Sequence, residues 1–338
     1  MVMPEHGGRL NAASKRWGRP AGQWLDLSTG INPRGWPVPD IPAEIWRRLP
    51  EAQDGLEKIV LTWVQAGPGA VCVPVAGSQA AIQTLPFLRS RCRVGIPEPG
   101  YREHGHGWAR AGHHVVPVSL EAVSQGPGWL DTLDVLVWIH PNNPTGLALE
   151  PQMLMDWHRR LSARGGWLVV DEAFIDEMPG RSLAGYAGDR SPGLIIMRSL
   201  GKFFGLAGVR AGAVLTDSNI ADALEEALGP WPMSAPARYV MARALQDLPW
   251  QASMRSELES ARHRLIFLLT AHDLAPAGGT SLFQYIPHQQ ARQLADNFAR
   301  LGILLRCFDR PPALRIGLPG SEDQWRRLAQ ALAQVKSN

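Results

Sequence analysis

Cysteine is scarce in this chain: three in 338 residues, Cys72, Cys92 and Cys307, far apart and without a CxxC pair. An odd, sparse count argues against a disulfide framework and fits a reducing compartment. No apolar stretch approaches the roughly 18 residues that a membrane-spanning helix needs. The first residues, Met1 to Gly8, hold no apolar secretion core, so a cytoplasmic location is expected. Charge is sparse too. The net formal charge is +3, with no run of Lys or Arg and no zinc-finger spacing, which disfavours nucleic acid as a partner. HExxH is absent, and His104-Gly105-His106 and His113-His114 lack the carboxylate spacing of a zinc motif. No metal site is expected. Those histidines read as helix and strand residues near the site or at the surface. There is no internal repeat and no low-complexity tract.

What the chain does have is alternation. Its 34 glycines and 28 prolines are scattered, as many short loops require. Residues 1–50 show little periodicity and read as an extended N-terminal arm. From there, short apolar runs are predicted as strands at 71–75, 94–96, 115–118, 135–139, 167–170, 194–197 and 211–215. Helix-length segments such as 78–89 and 151–163 lie between them. Strands alternating with helices imply α/β architecture, a mostly parallel seven-stranded sheet over residues 51–230. Pro232 and Pro236 then break the chain. Residues 231–338 read as a smaller α+β domain, with helices at 237–246, 251–272 and 323–334 and strands at 282–286, 304–306 and 314–316.

In open α/β sheets ligands bind beyond the carboxyl ends of strands, and four polar clusters fall there. Gly77-Ser78-Gln79 opens a helix, where backbone N–H groups favour a phosphate. Asn142-Asn143-Pro144-Thr145-Gly146 follows a strand, Asp171 ends one, and Ser199-Leu200-Gly201-Lys202 follows another. Lys202 sits among apolar residues, which favours the uncharged amine. Such an amine condenses with aldehydes. Ser199 and Arg210 suit a phosphate, so the local chemistry points to pyridoxal phosphate. Asp171 would keep a pyridine nitrogen protonated, which makes the ring an electron sink. Asn143 would bond the ring's phenolic oxygen, and Tyr101 would stack on its face. Singly, each cluster has a plainer reading: a helix cap, a loop carboxylate, a turn, a core tyrosine.

Together, Gly77-Ser78-Gln79, Pro99-Gly100-Tyr101, Asn142 to Gly146, Asp171-Glu172-Ala173-Phe174, Arg198 to Lys202 and Gly208-Val209-Arg210 resemble fold-type I pyridoxal-phosphate enzymes of the aspartate aminotransferase superfamily. The resemblance covers almost the whole chain. His6-Gly7-Gly8, Leu27 to Gly35, Asp171 to Asp176 and Ile303 to Phe308 look like the branch of cobalamin-biosynthetic threonine-phosphate decarboxylases. The sister branch, histidinol-phosphate aminotransferases, typically has Tyr where this chain has Phe174. The resemblance implies a carbon–carbon lyase that decarboxylates L-threonine O-3-phosphate to (R)-1-amino-2-propanol O-2-phosphate. Its alternative is transamination of histidinol phosphate or a related amine. It implies that Lys202 bonds the cofactor and, with Asp171 and Tyr101, carries the catalysis. Gly77, Ser78, Gln79, Asn143, Ser199 and Arg210 complete the cofactor set. Gly77-Ser78-Gln79 departs from the more usual Gly-Asn/Ser-Gly-x-x-Glu turn. Asn32 and Arg315, with Arg310 close by in sequence, are implied for the substrate carboxylate. Arg306, His6 and Gly7 are implied for the substrate phosphate. A homodimer is the further expectation.

Overall fold

The computed structural model describes residues 6–336. They form two compact units: residues 36–143 with 148–250, and residues 6–35 with 144–147 and 251–336. The first short strand, β1 (Leu25–Asp26), belongs to the smaller unit. The larger unit carries β2 (Val71–Val75), β3 (Arg93–Glu98), β4 (His114–Ser119), β5 (Val135–Ile139), β6 (Trp167–Asp171), β7 (Leu194–Ser199) and β8 (Gly212–Thr216). They make one seven-stranded sheet in the order β2-β8-β7-β6-β5-β3-β4. Every pairing is parallel except those of β8, which runs against both its neighbours.

The apolar runs explain the sheet. Val135 to Ile139 is buried at every residue, as a strand covered on both faces must be. Val73, Val94, Val137, Val169 and Ile195 pack with Ile82, Trp108, Ile220 and Leu224 of the helices that follow β2, β3 and β8 in one core. The helix expected over 78–89 runs as an α-helix only through Thr84 and continues as a 3₁₀ turn over Leu85–Leu88. Pro86 has no N–H to extend the α ladder.

The smaller unit pairs β9 (Gly278–Thr280), β10 (Phe283–Pro287), β12 (Arg306–Asp309) and β13 (Pro312–Gly317) in an antiparallel sheet of order β12-β13-β10-β9. The strand expected over 304–306 is two strands. Here β11 (Ile303–Leu304) runs parallel to β1, whereas β12 joins β13 across a tight turn. The arm is not merely extended: Leu10–Trp17 is a helix that buries Ala13, and β1 follows. Where the sequence suggested divisions near 50 and 230, the compact units change at 35 and 250. Pairing of Leu25 with Ile303 binds the arm to the carboxyl-terminal strands. Helix Ala235–Gln246 packs on helix Leu56–Trp63, and Arg238 bonds Asp54 at 2.7 Å and Glu57 at 2.8 Å. Residues 1–5 of the arm lie outside the described residues. Among the described residues no helix is long and apolar enough to cross a membrane.

His140 follows β5 and is fully buried. Its backbone N–H donates to the Asp171 carbonyl at 2.8 Å. Its Nε2 lies 3.1 Å from the Arg181 carbonyl, and its Nδ1 accepts from the Leu149 N–H at 3.4 Å. Only a neutral ring can donate at one nitrogen and accept at the other. Burial pushes the His140 pKa from 6.5 down to about 4. The unfolded chain therefore binds the extra proton between those values, and stability falls as pH falls through that window. The slope is up to about 1.4 kcal/mol per pH unit. Urea denaturation at successive pH values checks this, and His140→Gln should flatten the slope.

Candidate active site

The residues expected to hold a cofactor all lie in the larger unit, at one edge of its sheet. Gly77-Ser78, Tyr101, Asn142-Asn143, Asp171 and Ser199 to Lys202 follow or end β2, β3, β5, β6 and β7. Arg210 precedes β8. Because β8 is reversed, its first residue, Gly212, pairs with Val75 and Ser199, and Arg210 enters at the same edge.

Gly77 has φ 73°, a left-handed conformation that glycine adopts without strain. A Cβ there would stand 2.7 Å from Nη2 of Arg210. Arg210 itself takes φ 56°, and its guanidinium donates to the Ala207 carbonyl at 3.2 Å. Gly77, Ser78 and Arg210 thus form a close cradle with room for no added side chain at 77. Ser199 Oγ accepts from the Gly201 N–H at 3.2 Å and shapes the turn that presents Lys202. Lys202 Nζ lies 5.4 Å from the ring centroid of buried Phe174.

Asp171 is buried, and His104 is buried with it. Asp171 Oδ2 lies 2.8 Å from His104 Nε2, and Oδ1 accepts from the Ala173 N–H at 3.1 Å. The carboxylate is therefore fixed from two sides. His104 is a partner of Asp171 that the motifs did not reveal. Its sequence signal is spacing: three residues beyond Tyr101, in the first turn of helix Arg102–Arg110, it stands on Tyr101's side of that helix. The two rings lie edge-on, 6.0 Å apart. Gln79 is drawn into the same corner. Its amide donates to Glu103 at 2.9 Å, and its Oε1 lies 3.5 Å from the Tyr101 hydroxyl. Asn142, next to Asn143, donates to the Pro99 carbonyl at 3.0 Å.

The residues expected to hold a substrate, His6, Gly7, Asn32, Arg306 and Arg315, all lie in the smaller unit. Arg306 and Arg315 are direct partners across the β12–β13 pair, so both guanidiniums leave one face of that sheet. Arg315 is buried and donates to the Ser28 carbonyl at 2.6 Å. Arg310 is exposed in the turn, so Arg315 is the residue in register with Arg306. Buried Asn32 accepts from the Arg34 N–H at 2.9 Å. Ser28 ties the arm down: its Oγ accepts from the Gly8 N–H at 2.8 Å, and any Cβ on Gly7 would collide with its carbonyl. His6, Gly7, Ser28 and Arg306 line one cavity of about 210 Å³.

Chemically, the larger unit offers an amine, a buried carboxylate and a guanidinium–hydroxyl cradle at one sheet edge. Those are the groups that pyridoxal phosphate requires at its aldehyde, ring nitrogen and phosphate. The residues present fit the cofactor.

Residues 56–332 match the family model described as aminotransferase class I and II. The chain is 48% identical to a threonine-phosphate decarboxylase of Pseudomonas aeruginosa, over 99% of this chain and 98% of that one. It is 38% identical to a threonine-phosphate decarboxylase of a Sinorhizobium species, over 98% of each. Among solved structures it is similar to the histidinol-phosphate aminotransferase of Sinorhizobium meliloti in complex with pyridoxal-5'-phosphate. That likeness has a TM-score of 0.85 at 20% identity, covering 99% of this chain and 96% of that one, and it speaks to the fold.

The cradle yields a test. Gly77→Ala places a methyl group against Arg210 and strains the backbone. The variant should fold but bind pyridoxal phosphate at least about tenfold more weakly, as loss of one charged phosphate contact does. Titration of the cofactor-free protein, followed by absorbance, measures it.

Proposed function

The chain belongs to the class I and II aminotransferase family, and within it we infer a pyridoxal-phosphate-dependent decarboxylase acting on L-threonine O-3-phosphate. Its product is (R)-1-amino-2-propanol O-2-phosphate, and cobalamin biosynthesis is the pathway we propose for it. The observation that carries the substrate reading is the cross-strand pairing of Arg306 with Arg315. Two guanidiniums on one sheet face suit a small molecule that bears a phosphate and a carboxylate at once.

When bound, pyridoxal phosphate supplies the electron sink for the pair left on Cα as CO2 departs. The protein's residues do the rest. Asp171 holds a proton on the pyridine nitrogen by pairing charge with charge, and His104 keeps that carboxylate aimed. Tyr101 stacks on the ring, and Asn143 bonds its phenolic oxygen. Ser78, Ser199 and Arg210, with the Gly77 backbone, hold the cofactor phosphate, and Gln79 serves by orienting Tyr101. Arg315 and Asn32 would hold the substrate carboxylate. Arg306, His6 and Gly7 grip the substrate phosphate. Lys202 would hold the cofactor at its aldehyde carbon, and its amine would be the group that moves a proton at the substrate's Cα.

We further propose a cytoplasmic homodimer. Trp46 and Leu49 are 64% and 62% exposed, and Leu49 lines a cavity of about 550 Å³ with Ile45, Ile59, Tyr239 and charged residues such as Arg48 and Arg243. Large apolar side chains exposed together favour burial against a second copy. Sedimentation equilibrium should give twice the chain mass, and Trp46→Glu should shift the population toward monomer.

Purified protein supplied with pyridoxal phosphate should release CO2 and aminopropanol phosphate from L-threonine O-3-phosphate without any keto acid. Lys202→Ala should cut that turnover at least about a hundredfold. Turnover only of histidinol phosphate, and only once 2-oxoglutarate is added, would overturn the decarboxylase reading.

A further inference from the structure

The cavity of the smaller unit is more cationic than one carboxylate or phosphate contact explains. Besides Arg306 and His6 it is lined by Arg9, Arg16 and Arg292. Two of these three are engaged elsewhere. Arg16 bonds Asp296 at 3.2 Å, and Arg292 bonds Asp309 at 2.7 Å. Their charge is largely offset by those carboxylates. Arg306 lies over the Phe308 ring at 5.1 Å, which fixes the direction of its side chain along the strand. Arg9 differs. It stands at the head of helix Leu10–Trp17, exposed, and among the described residues its guanidinium has no hydrogen bond and no ion pair.

Its backbone is nonetheless held. The Arg9 carbonyl accepts from the Ala13 N–H at 3.0 Å, and Gly8 on its other side is bonded to Ser28. The Leu10–Trp17 helix is anchored through Ala13, packed with Trp24 and Ala299. An unengaged guanidinium on a fixed stem, at the wall of a cavity that already holds Arg306, is placed to meet an anion rather than a protein carboxylate. A phosphate dianion has three terminal oxygens and accepts from two guanidiniums without competition.

We propose that Arg9 is a specificity-determining residue, the second guanidinium on the substrate's phosphate, which selects phosphorylated over free threonine. This rests on the threonine-phosphate reading above. Because Arg9 is exposed, its contribution is one of charge attraction and is weakened by salt.

The test uses the holoenzyme with Arg9→Gln and Arg9→Lys. Arg9→Gln should raise KM for L-threonine O-3-phosphate by about tenfold, with a much smaller change in kcat. It should weaken the binding of inorganic phosphate, measured by calorimetry, by a similar factor, and flatten the rise of KM with ionic strength. Arg9→Lys should restore part of each. Unaltered phosphate affinity and KM in Arg9→Gln would overturn the assignment. The two readings can fail separately. If the unmodified enzyme releases no CO2 from threonine phosphate, the decarboxylase reading falls, and phosphate calorimetry still decides Arg9.

Discussion

The buried guanidinium of Arg198 fixes the floor on which the residues proposed to hold the cofactor stand. Arg198 lies in β7, one residue before Ser199. It is hydrogen-bonded to Asp176 and lies 3.4 Å from Glu172, both beyond the end of β6, and it covers the Trp63 ring at 4.5 Å. Glu172 in turn accepts from Ser182 Oγ and from the Leu183 N–H, each at 2.6 Å. Burial pushes the Glu172 pKa up, against the pull of Arg198. Charges this deep persist only as a bonded set, because an unpaired member carries its full desolvation penalty. The set therefore locks the segment after Asp171 to the strand that delivers Ser199 and Lys202.

The reversal of β8 is the second constraint. In a fully parallel sheet, the residue that precedes a strand lies at the amino edge, away from the ligands. Running β8 backwards brings Arg210 to the carboxyl edge, beside Gly77. The left-handed turn at Arg210 and the left-handed Gly77 are the local consequences. One strand direction thus lets the cradle draw on two segments that are distant in sequence.

Much of this was legible in the sequence. Continuous buried runs such as Val135 to Ile139 and Leu194 to Met197 announce central strands, and polar residues directly after such runs can only lie at the sheet's edge. Lys202, Asp171 and Asn143 stood out for that reason, whereas Arg210, which precedes a strand, stood out only by its place eight residues beyond Lys202 and by the family resemblance. What stayed hidden depends on contacts between distant segments. The helix Leu10–Trp17 fully buries only Ala13, and its apolar stripe of Leu10, Ala13 and Trp17 is too short to stand out in the sequence. Strand β1 is two residues long, and its partner is near the other end of the chain. The bond from His104 to Asp171 joins β6 to the helix after β3, and local periodicity is blind to such a pairing. The carboxylates around Arg198 looked like a charged loop, because nothing local reports that they are buried.

The placement of Arg306 and Arg315 comes down to register. Asp309 pairs with Pro312, leaving Arg310-Pro311 as a two-residue connection, and from that turn the ladder runs back to Arg306 opposite Arg315. A tight turn leaves little freedom in register. A slip of one residue would turn Cys307 to the face that Arg306 now occupies and would separate the two guanidiniums. Phe308 and Tyr285 share the face of the arginines, with their rings 6.4 Å apart. Packing there adds to the turn in holding that alignment. A short loop and a pair of aromatic rings thus fix the spacing of two charges. Under the proposed function, that spacing is what a substrate with two anionic groups would have to match, and it is set by backbone geometry.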